Sequence, residues 1–217
     1  MIEQKFKIED LNINLKYNLG YSSYIFCYIH SNSIFEIENC NNLVLIFISN
    51  NDWESDFTPF NHKAVFKNGR DFTGKANEYL ERFKESIKKI EETLTLNVEY
   101  RILAGYSLAG LFSLYATKNN GLFRKICSVS PSFWYPGFVD FVKENDFNFN
   151  QAYFSIGNKE FLTKNPYLSK SYDCLKEITD ILKSRNKNIY FEMNEGGHFN
   201  NPDERLKKGI VYLFKNL

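Results

Sequence analysis

Ser107 lies in Gly-Tyr-Ser-Leu-Ala-Gly at residues 105–110, between an apolar run typical of a strand and an apolar run typical of a helix. A sharp strand-to-helix turn lifts a serine Oγ out at the carboxyl edge of a parallel sheet. The first backbone N–H groups of the helix then face a developing oxyanion. Such a turn needs small residues on both sides of the serine, and Gly105 and Ala109 satisfy that need. The pattern therefore predicts a nucleophilic serine.

Three histidines, His30, His62 and His198, are the candidate bases for this serine, because a hydroxyl is a weak nucleophile on its own. His198 follows the last predicted strand in a glycine-rich turn, which matches the chain order serine, acid, histidine of α/β hydrolases. We expect His62 at the surface or at the rim of a pocket. We expect His30, which ends a strand, in the loop region that supplies an oxyanion donor.

A carboxylate is also required, since the histidine needs one to hold its tautomer and to stabilise the imidazolium. Glu160 is preferred because it comes four residues after the strand predicted at 152–156. Asp173 is the second choice, since it starts the next helix near the same sheet edge. Asp140 and Asp146 lie in an aromatic segment and are weaker candidates.

The oxyanion donors predicted from this arrangement are backbone N–H groups. The first belongs to Leu108, the residue after the nucleophile, and the second to the loop around Ser31 and Asn32. Three aromatic side chains could line an acyl or aromatic pocket, although ordinary packing explains each nearly as well. They are Trp53, Phe133 and Trp134.

Alternating strands and helices must position these residues, and that alternation predicts a mainly parallel sheet with helices on both faces. Sites in such sheets lie at the carboxyl ends of strands, where Ser107, Glu160 and His198 would converge. We expect one α/β domain over residues 1–217, with segments 50–75 and 130–150 forming pocket walls. Strands are predicted at 6–8, 11–15, 24–29, 43–48, 100–104, 125–129, 152–156 and 188–193. Helices are predicted at 76–94, 108–117 and 171–183, and from residue 201 onwards.

The composition of the chain limits the classes of partner that we expect. A formal net charge of +1 with mixed signs favours neither nucleic acid nor an anionic membrane. The longest strongly apolar run, residues 43–48, is far too short to span a bilayer, and the first residues lack the apolar stretch of a signal peptide. Because both of these apolar stretches are missing, we expect a cytoplasmic location. The four cysteines show no metal-binding spacing, so we expect no metal. The abundance of Asn, Lys, Ile, Phe and Tyr suggests an AT-rich, bacterial genome.

Several motifs together resemble the Putative esterase family of α/β hydrolases, which includes enterochelin esterase-like enzymes, esterase D and feruloyl esterases. The resemblance spans nearly the whole chain. It is carried by residues 105–110, Ser-Val-Ser-Pro-Ser-Phe-Trp at 128–134, Ser-Ile-Gly-Asn-Lys-Glu at 155–160 and Gly-His-Phe at 197–199. Asp-Phe-Thr-Pro at 56–59 is similar to the family's Asp-Tyr-Thr-Pro segment. Two segments depart from the family pattern: Ala109 replaces a glycine, and Ser31-Asn32 replace Asp-Gly.

The resemblance implies a serine esterase with Ser107 as nucleophile, Glu160 as acid and His198 as base, and without a metal or organic cofactor. The expected partner is a small-molecule ester. Two alternatives stay open: an acyltransferase that uses another alcohol in place of water, and a non-catalytic binding protein, which the altered Ser31-Asn32 loop favours. An edge strand or the N-terminal strands could support a homodimer, although nothing in the sequence requires one.

Overall fold

The computed structural model describes residues 1–216. The strands in this range are β1 (Ile2–Ile8), β2 (Leu11–Tyr17), β3 (Tyr24–His30), β4 (Leu43–Ser49), β5 (Asn61–His62), β6 (Phe72–Thr73), β7 (Val98–Tyr106), β8 (Lys125–Val129), β9 (Gln151–Gly157) and β10 (Asn188–Asn194). The α-helices are α1 (Trp53–Asp56), α2 (Ala76–Leu94), α3 (Leu108–Tyr115), α4 (Phe138–Glu144), α5 (Ser171–Ser184) and α6 (Pro202–Lys215).

Eight of the strands form one sheet in the order β1-β2-β4-β3-β7-β8-β9-β10. The six strands from β4 to β10 in this order are mutually parallel. The β1–β2 hairpin joins them antiparallel, through β2 and β4. The central parallel strands are buried along their whole length, which explains why the sequence shows them as continuous apolar runs.

The core has two layers, one on each face of the sheet, because successive side chains of a strand point to opposite faces. Phe26 and Tyr28 of β3 face the layer that packs against α2, α3, α4 and α5. Cys27 and Ile29 face the layer that packs against α6. The mainly parallel sheet with helices on both faces that the sequence predicts is therefore present. Within residues 1–216, none of the helices combines the length and the apolar character needed to cross a membrane.

The two segments predicted as loops contain regular structure. Segment 50–75 holds the short helix α1 and the β5–β6 hairpin, and segment 130–150 holds α4. These elements are too short for a clear period in the sequence. In α4 the apolar residues Phe138, Phe141 and Val142 recur at helical spacing, but a helix of seven residues offers too few repeats for a prediction.

Candidate active site

Ser107 occupies a strained turn between β7 and α3. Its backbone dihedrals are φ 58° and ψ −121°, a conformation that residues with a side chain rarely adopt. Three hydrogen bonds hold the backbone there: its N–H donates to Val129 O at 3.1 Å, and its carbonyl accepts from Leu111 N at 3.0 Å and Ser132 N at 3.0 Å. Strain of this kind persists only where the surroundings over-determine it, and it is concentrated at functional sites.

The small residues around Ser107 allow β7 and α3 to approach each other closely. A Cβ placed on Gly105 would lie 2.2 Å from the carbonyl oxygen of Ala109 and 2.9 Å from its Cβ. Neither neighbour can move without displacing the first turn of α3. A methyl group at position 109 fits, whereas position 105 accepts only glycine.

A chain of hydrogen bonds joins three side chains at the carboxyl edge of the sheet. His198 Nε2 lies 3.1 Å from Ser107 Oγ, and His198 Nδ1 lies 2.8 Å from Glu160 Oε2. Glu160 comes from the turn after β9 and His198 from the turn after β10. These two turns are joined by backbone hydrogen bonds, including one from Lys159 N to Gly196 O at 3.0 Å. The structure thus brings Ser107, His198 and Glu160 together.

The second oxygen of Glu160 is held by three donors. Oε1 accepts from Ser130 Oγ at 2.7 Å, from Gly157 N at 2.6 Å and from Arg205 Nη1 at 2.8 Å. Burial acts to raise the pKa of Glu160, but the hydrogen bonds from His198, Ser130 and Gly157 outweigh it, and the net pKa lies below its usual range. The group therefore stays a carboxylate at neutral pH, with Oε2 turned toward His198.

Leu108 begins α3, so its backbone N–H has no intrahelical partner, and the residue lines the cavity beside Ser107. The β3–β7 register pairs His30 with Gly105, so the chain leaving β3 runs beside the Ser107 turn. The Ser31 N–H is already bound to Ile48 O at 3.1 Å. Asn32 is exposed and is not part of the cavity wall, so its N–H as second oxyanion donor stays a proposal.

A cavity of about 260 Å³ opens at Ser107. Its walls are mainly apolar, and segment 50–75 supplies five of the residues that line it. Segment 130–150 supplies Ser132 and Trp134. The lining residues are Glu54, Phe66, Gly69, Arg70, Phe72, Ser107, Leu108, Ser132, Trp134, Leu168, His198 and Phe199.

Two of the aromatic residues predicted to line the pocket do not reach it, and this corrects the sequence interpretation. Phe133 is fully buried and packs against Phe138 and Phe154, with ring centroids 5.5 Å apart in each pair. Trp53 is half-buried and packs on Phe57 at 5.2 Å. The backbone turn at residues 132–134 sends Trp134 toward the cavity and Phe133 into the core.

His30 is also misassigned by the sequence interpretation. Its side chain does not join the oxyanion loop but lies in the core, with Nε2 2.7 Å from Tyr79 OH and with the rings of Phe57, Phe83 and Phe112 around it. Burial lowers its pKa to about 3. His62 is half-buried, bonds the Lys63 carbonyl, and is not part of the cavity wall.

Sequence reasoning missed three polar residues of the site. Ser132 Oγ lies 3.2 Å from Ser107 Oγ, and Ser130 and Arg205 bind Glu160. The serines stand in the segment Ser-Val-Ser-Pro-Ser-Phe-Trp, where two hydroxyls after a strand are a usable signal. Arg205 gives no such signal, because its position on α6 looks like any charged helix residue.

Asp173, the second candidate acid, lies in the first turn of α5 and makes no hydrogen bond to His198. Asp140 is on the solvent side of α4, within 3.3 Å of Lys143. Across residues 1–216, no three His, Cys, Asp or Glu side chains come together in a way that could hold a metal ion.

Comparisons with known proteins place this site in context. The family model described as Putative esterase matches residues 32–202. A search of curated protein sequences finds no match. Among solved structures, an IroE-like serine hydrolase from Shewanella oneidensis has a TM-score of 0.78 at 18% identity, with 99% of this chain and 80% of that chain covered.

Two further solved structures share the fold. Siderophore hydrolase EstA from Aspergillus nidulans has a TM-score of 0.69 at 15% identity, with 98% of this chain and 93% of that chain covered. An enterochelin esterase from Shigella flexneri has a TM-score of 0.67 at 13% identity. The alignment covers 99% of this chain and 58% of that longer chain.

Proposed function

The chain belongs to the Putative esterase family and is a carboxylic ester hydrolase; on that premise we propose that it cleaves its ester through Ser107, His198 and Glu160, with an acyl-serine intermediate. The observation that carries the proposal is the continuous hydrogen-bonded chain from Glu160 to His198 to Ser107. Ser107 stands on a strained turn, and Ser107 and His198 both line the cavity.

In the first half of the proposed reaction, Ser107 Oγ attacks the ester carbonyl while His198 Nε2 takes its proton. Glu160 Oε2 accepts the Nδ1–H of His198, which holds the tautomer and stabilises the imidazolium. The Leu108 N–H, and as the second donor the Asn32 N–H, stabilise the oxyanion. Each such donor contributes about 3–4 kcal/mol of transition-state stabilisation.

In the second half, His198 protonates the leaving alkoxide, the carbonyl–alkoxide bond breaks and the acyl group stays on Ser107 Oγ. His198 then takes a proton from water, the hydroxide attacks the acyl carbon, and the acid leaves as His198 returns the proton to Ser107. Acyl transfer to another alcohol would use the same steps with that alcohol in place of water. New ester product formed in the presence of added alcohols would identify such a transferase.

The test of the proposal is hydrolysis of a p-nitrophenyl ester series by the wild type and by Ser107→Ala and His198→Ala. We expect kcat to fall by about 10⁴–10⁶-fold in each variant, because the three groups act as a unit. A serine-directed phosphonate should label the wild type and not Ser107→Ala. Equal rates in all three proteins, together with no labelling, would instead indicate the non-catalytic binding protein.

The choice of acid is tested by Glu160→Gln with Asp173→Asn as its matched control. A glutamine amide would donate to Nδ1 and impose the wrong tautomer, so we expect a loss of about 10⁴-fold in kcat for Glu160→Gln. Asp173→Asn should keep wild-type kcat. The reverse result would assign the role to Asp173.

The cytoplasmic location, the bacterial origin and a homodimer stay predictions. All four cysteines are free thiols, three of them buried, which supports a reducing compartment. Cell fractionation and sedimentation equilibrium, the latter against a chain mass of 25.6 kDa, would test the location and the dimer.

A further inference from the structure

Phe199 is the most exposed large apolar side chain beside the proposed catalytic groups. The residue is 91% exposed, yet its ring lies next to the His198 imidazole, with ring centroids 5.1 Å apart at 86°, and it lines the cavity at Ser107. A fully exposed phenyl group has no packing role in the fold. Its apolar surface is therefore available to a bound molecule.

The backbone under Phe199 is held rigidly. In the turn of residues 197–200, the Asn200 N–H donates to Gly197 O at 3.2 Å, and the Gly197 N–H donates to Asn200 Oδ1 at 2.7 Å. Arg205 Nη2 also donates to Gly197 O, at 3.1 Å. The ring is thus presented from a fixed turn, as a recognition surface requires.

The chemistry of the proposed reaction identifies the part of the substrate that meets this ring. His198 Nε2 must give its proton to the leaving alkoxide, so the alcohol part of the ester lies beside the imidazole when the bond breaks. Phe199 flanks that imidazole and lines the cavity, whereas Tyr106, the other ring beside His198, is half-buried, bonds His198 O and is not part of the cavity wall. The alcohol part therefore comes into contact with Phe199.

The charges of the cavity wall disfavour a substrate that carries a carboxylate. Among the described residues that line the cavity, Glu54 and Arg70 are the acidic and basic side chains. They pair with each other, and Arg70 also binds Asp52 at 2.7 Å. A substrate carboxylate would have to break these pairs and would meet two acidic neighbours.

We propose that Phe199 is the specificity-determining platform for the alcohol part of the substrate, and that the substrate is an uncharged ester of a flat, apolar alcohol. This inference rests on the proposed function, because it needs a leaving alkoxide at His198. The high exposure of Phe199 leaves room beside it for a large alcohol.

The test varies the alcohol and keeps the acyl group constant. Trifluoroethyl, phenyl, β-naphthyl and p-carboxyphenyl acetates are assayed with the wild type, Phe199→Ser, Phe199→Trp and the control Leu162→Ser. Leu162 is 71% exposed and lies outside the cavity wall. We expect Phe199→Ser to lower kcat/KM for the naphthyl ester about tenfold relative to the trifluoroethyl ester. Phe199→Trp and Leu162→Ser should retain the wild-type ratio.

Breakdown of the acetyl-enzyme provides the internal control, because the alcohol has already left at that stage. Its rate, measured by quenching and mass spectrometry, should be the same in the wild type and Phe199→Ser. The wild type should also cleave p-carboxyphenyl acetate more slowly than phenyl acetate.

Two results would overturn the inference: a naphthyl-to-trifluoroethyl ratio in Phe199→Ser that equals the wild-type ratio, whether or not the rates on all acetates fall together, or a preference of the wild type for the carboxylated ester. In either case the wild type would still hydrolyse esters in a reaction that depends on Ser107, so the proposed function would stand. A wild type without such turnover on any ester would overturn the proposed function itself, so the two failures are distinguishable.

Discussion

Each of the three proposed catalytic side chains is positioned by residues that take no part in the reaction. Ser107 is held through its backbone, and Glu160 through three donors to Oε1. Arg205 links Glu160 to the turn that carries His198. Its Nη1 donates to Glu160 Oε1, and its Nη2 donates to the carbonyls of Glu195 and Gly197 in that turn. The guanidinium is buried, so its charge acts on Glu160 with little solvent screening.

Replacement of Arg205 should therefore change the pH dependence of the reaction. The folded pKa of Glu160 is lowered, so the carboxylate form that accepts from His198 is lost only as pH falls through that low value. Removing a buried cation favours proton binding by the hydrogen-bonded catalytic groups around it, so we expect the acid limb of the kcat/KM profile of Arg205→Met to move about one unit to higher pH. Profiles normalised by phosphonate titration of active sites measure the shift.

Arg205→Lys and Arg101→Met are the controls for that shift. Lysine keeps the positive charge, so Arg205→Lys should retain the wild-type limb. Arg101 lies away from the site, where its Nη2 is 2.6 Å from Glu91 Oε2 in an ion pair. The loss of this arginine should leave the profile unchanged. An acid limb in Arg205→Met that coincides with the wild type would show that the guanidinium only stabilises the fold.

Among the elements, the contact between β7 and α3 decides where Ser107, the proposed nucleophile, stands. β7 is a central strand between β3 and β8, and α3 packs over β7 and β8. The two elements approach so closely at Gly105 and Ala109 that the turn between them has a single conformation. Rigid elements on both sides of a reactive serine hold it more accurately than a free loop would.

Gly105→Ala should therefore damage both stability and activity. The added methyl group would lie 2.2 Å from Ala109 O, and we expect the free energy of unfolding to fall by about 1–3 kcal/mol in urea titrations. Displacement of α3 should also slow phosphonate labelling of Ser107. Gly121→Ala, whose methyl would lie 3.3 Å from the side-chain tip of Asn148, is the matched control and should cost less than about 0.5 kcal/mol. Wild-type stability of Gly105→Ala would contradict this account of the turn.

At the scale of the whole molecule, a single sheet separates two apolar layers and carries the site on one edge. The layer between the sheet and α2 to α5 holds most of the buried aromatic rings, and His30 lies among them with its Nδ1 unpaired. A histidine in such surroundings is kept neutral by burial, which lowers its pKa to about 3. The outer strand β1 carries Glu3, Lys5 and Lys7 on exposed positions, and such charges discourage edge-to-edge pairing.

His30 should make the stability of the whole fold depend on pH. In the unfolded chain a histidine has a pKa near 6.5, so below about pH 6.5 the His30 imidazole is protonated in the unfolded state but stays neutral in the native state. This contribution is fully present above about pH 6.5 and is lost toward pH 3, by up to about 1.4 kcal/mol per pH unit. As pH falls from 6.5 to 4, the free energy of unfolding of the wild type should therefore decrease relative to that of His30→Phe, which lacks this histidine. Urea titrations of both proteins at several pH values measure this change, and a His30→Phe variant whose stability changes with pH in parallel with the wild type would contradict the prediction.

Several features of this protein follow from the sequence alone, because they depend on local patterns. Continuous apolar runs indicated the buried parallel strands, and the apolar stripe of residues 76–94 indicated α2 with the bounds that the structure has. The small residues around Ser107 predicted the tight turn, and chain order pointed to His198 and Glu160. The helices and strands inside segments 50–75 and 130–150 were missed, since elements of two to seven residues show too little periodicity.

Only the tertiary structure decided which side chains meet. Phe133 and Trp134 are neighbours in the sequence with similar chemistry, yet one is in the core and the other in the cavity wall, because the backbone turn after β8 directs them apart. His30 ends a strand at the correct edge, but strand alternation turns it into the aromatic core. Arg205 reaches Glu160 from α6, which packs on the second face of the sheet. Such contacts join residues far apart in the chain, and their partners depend on packing that no local pattern encodes.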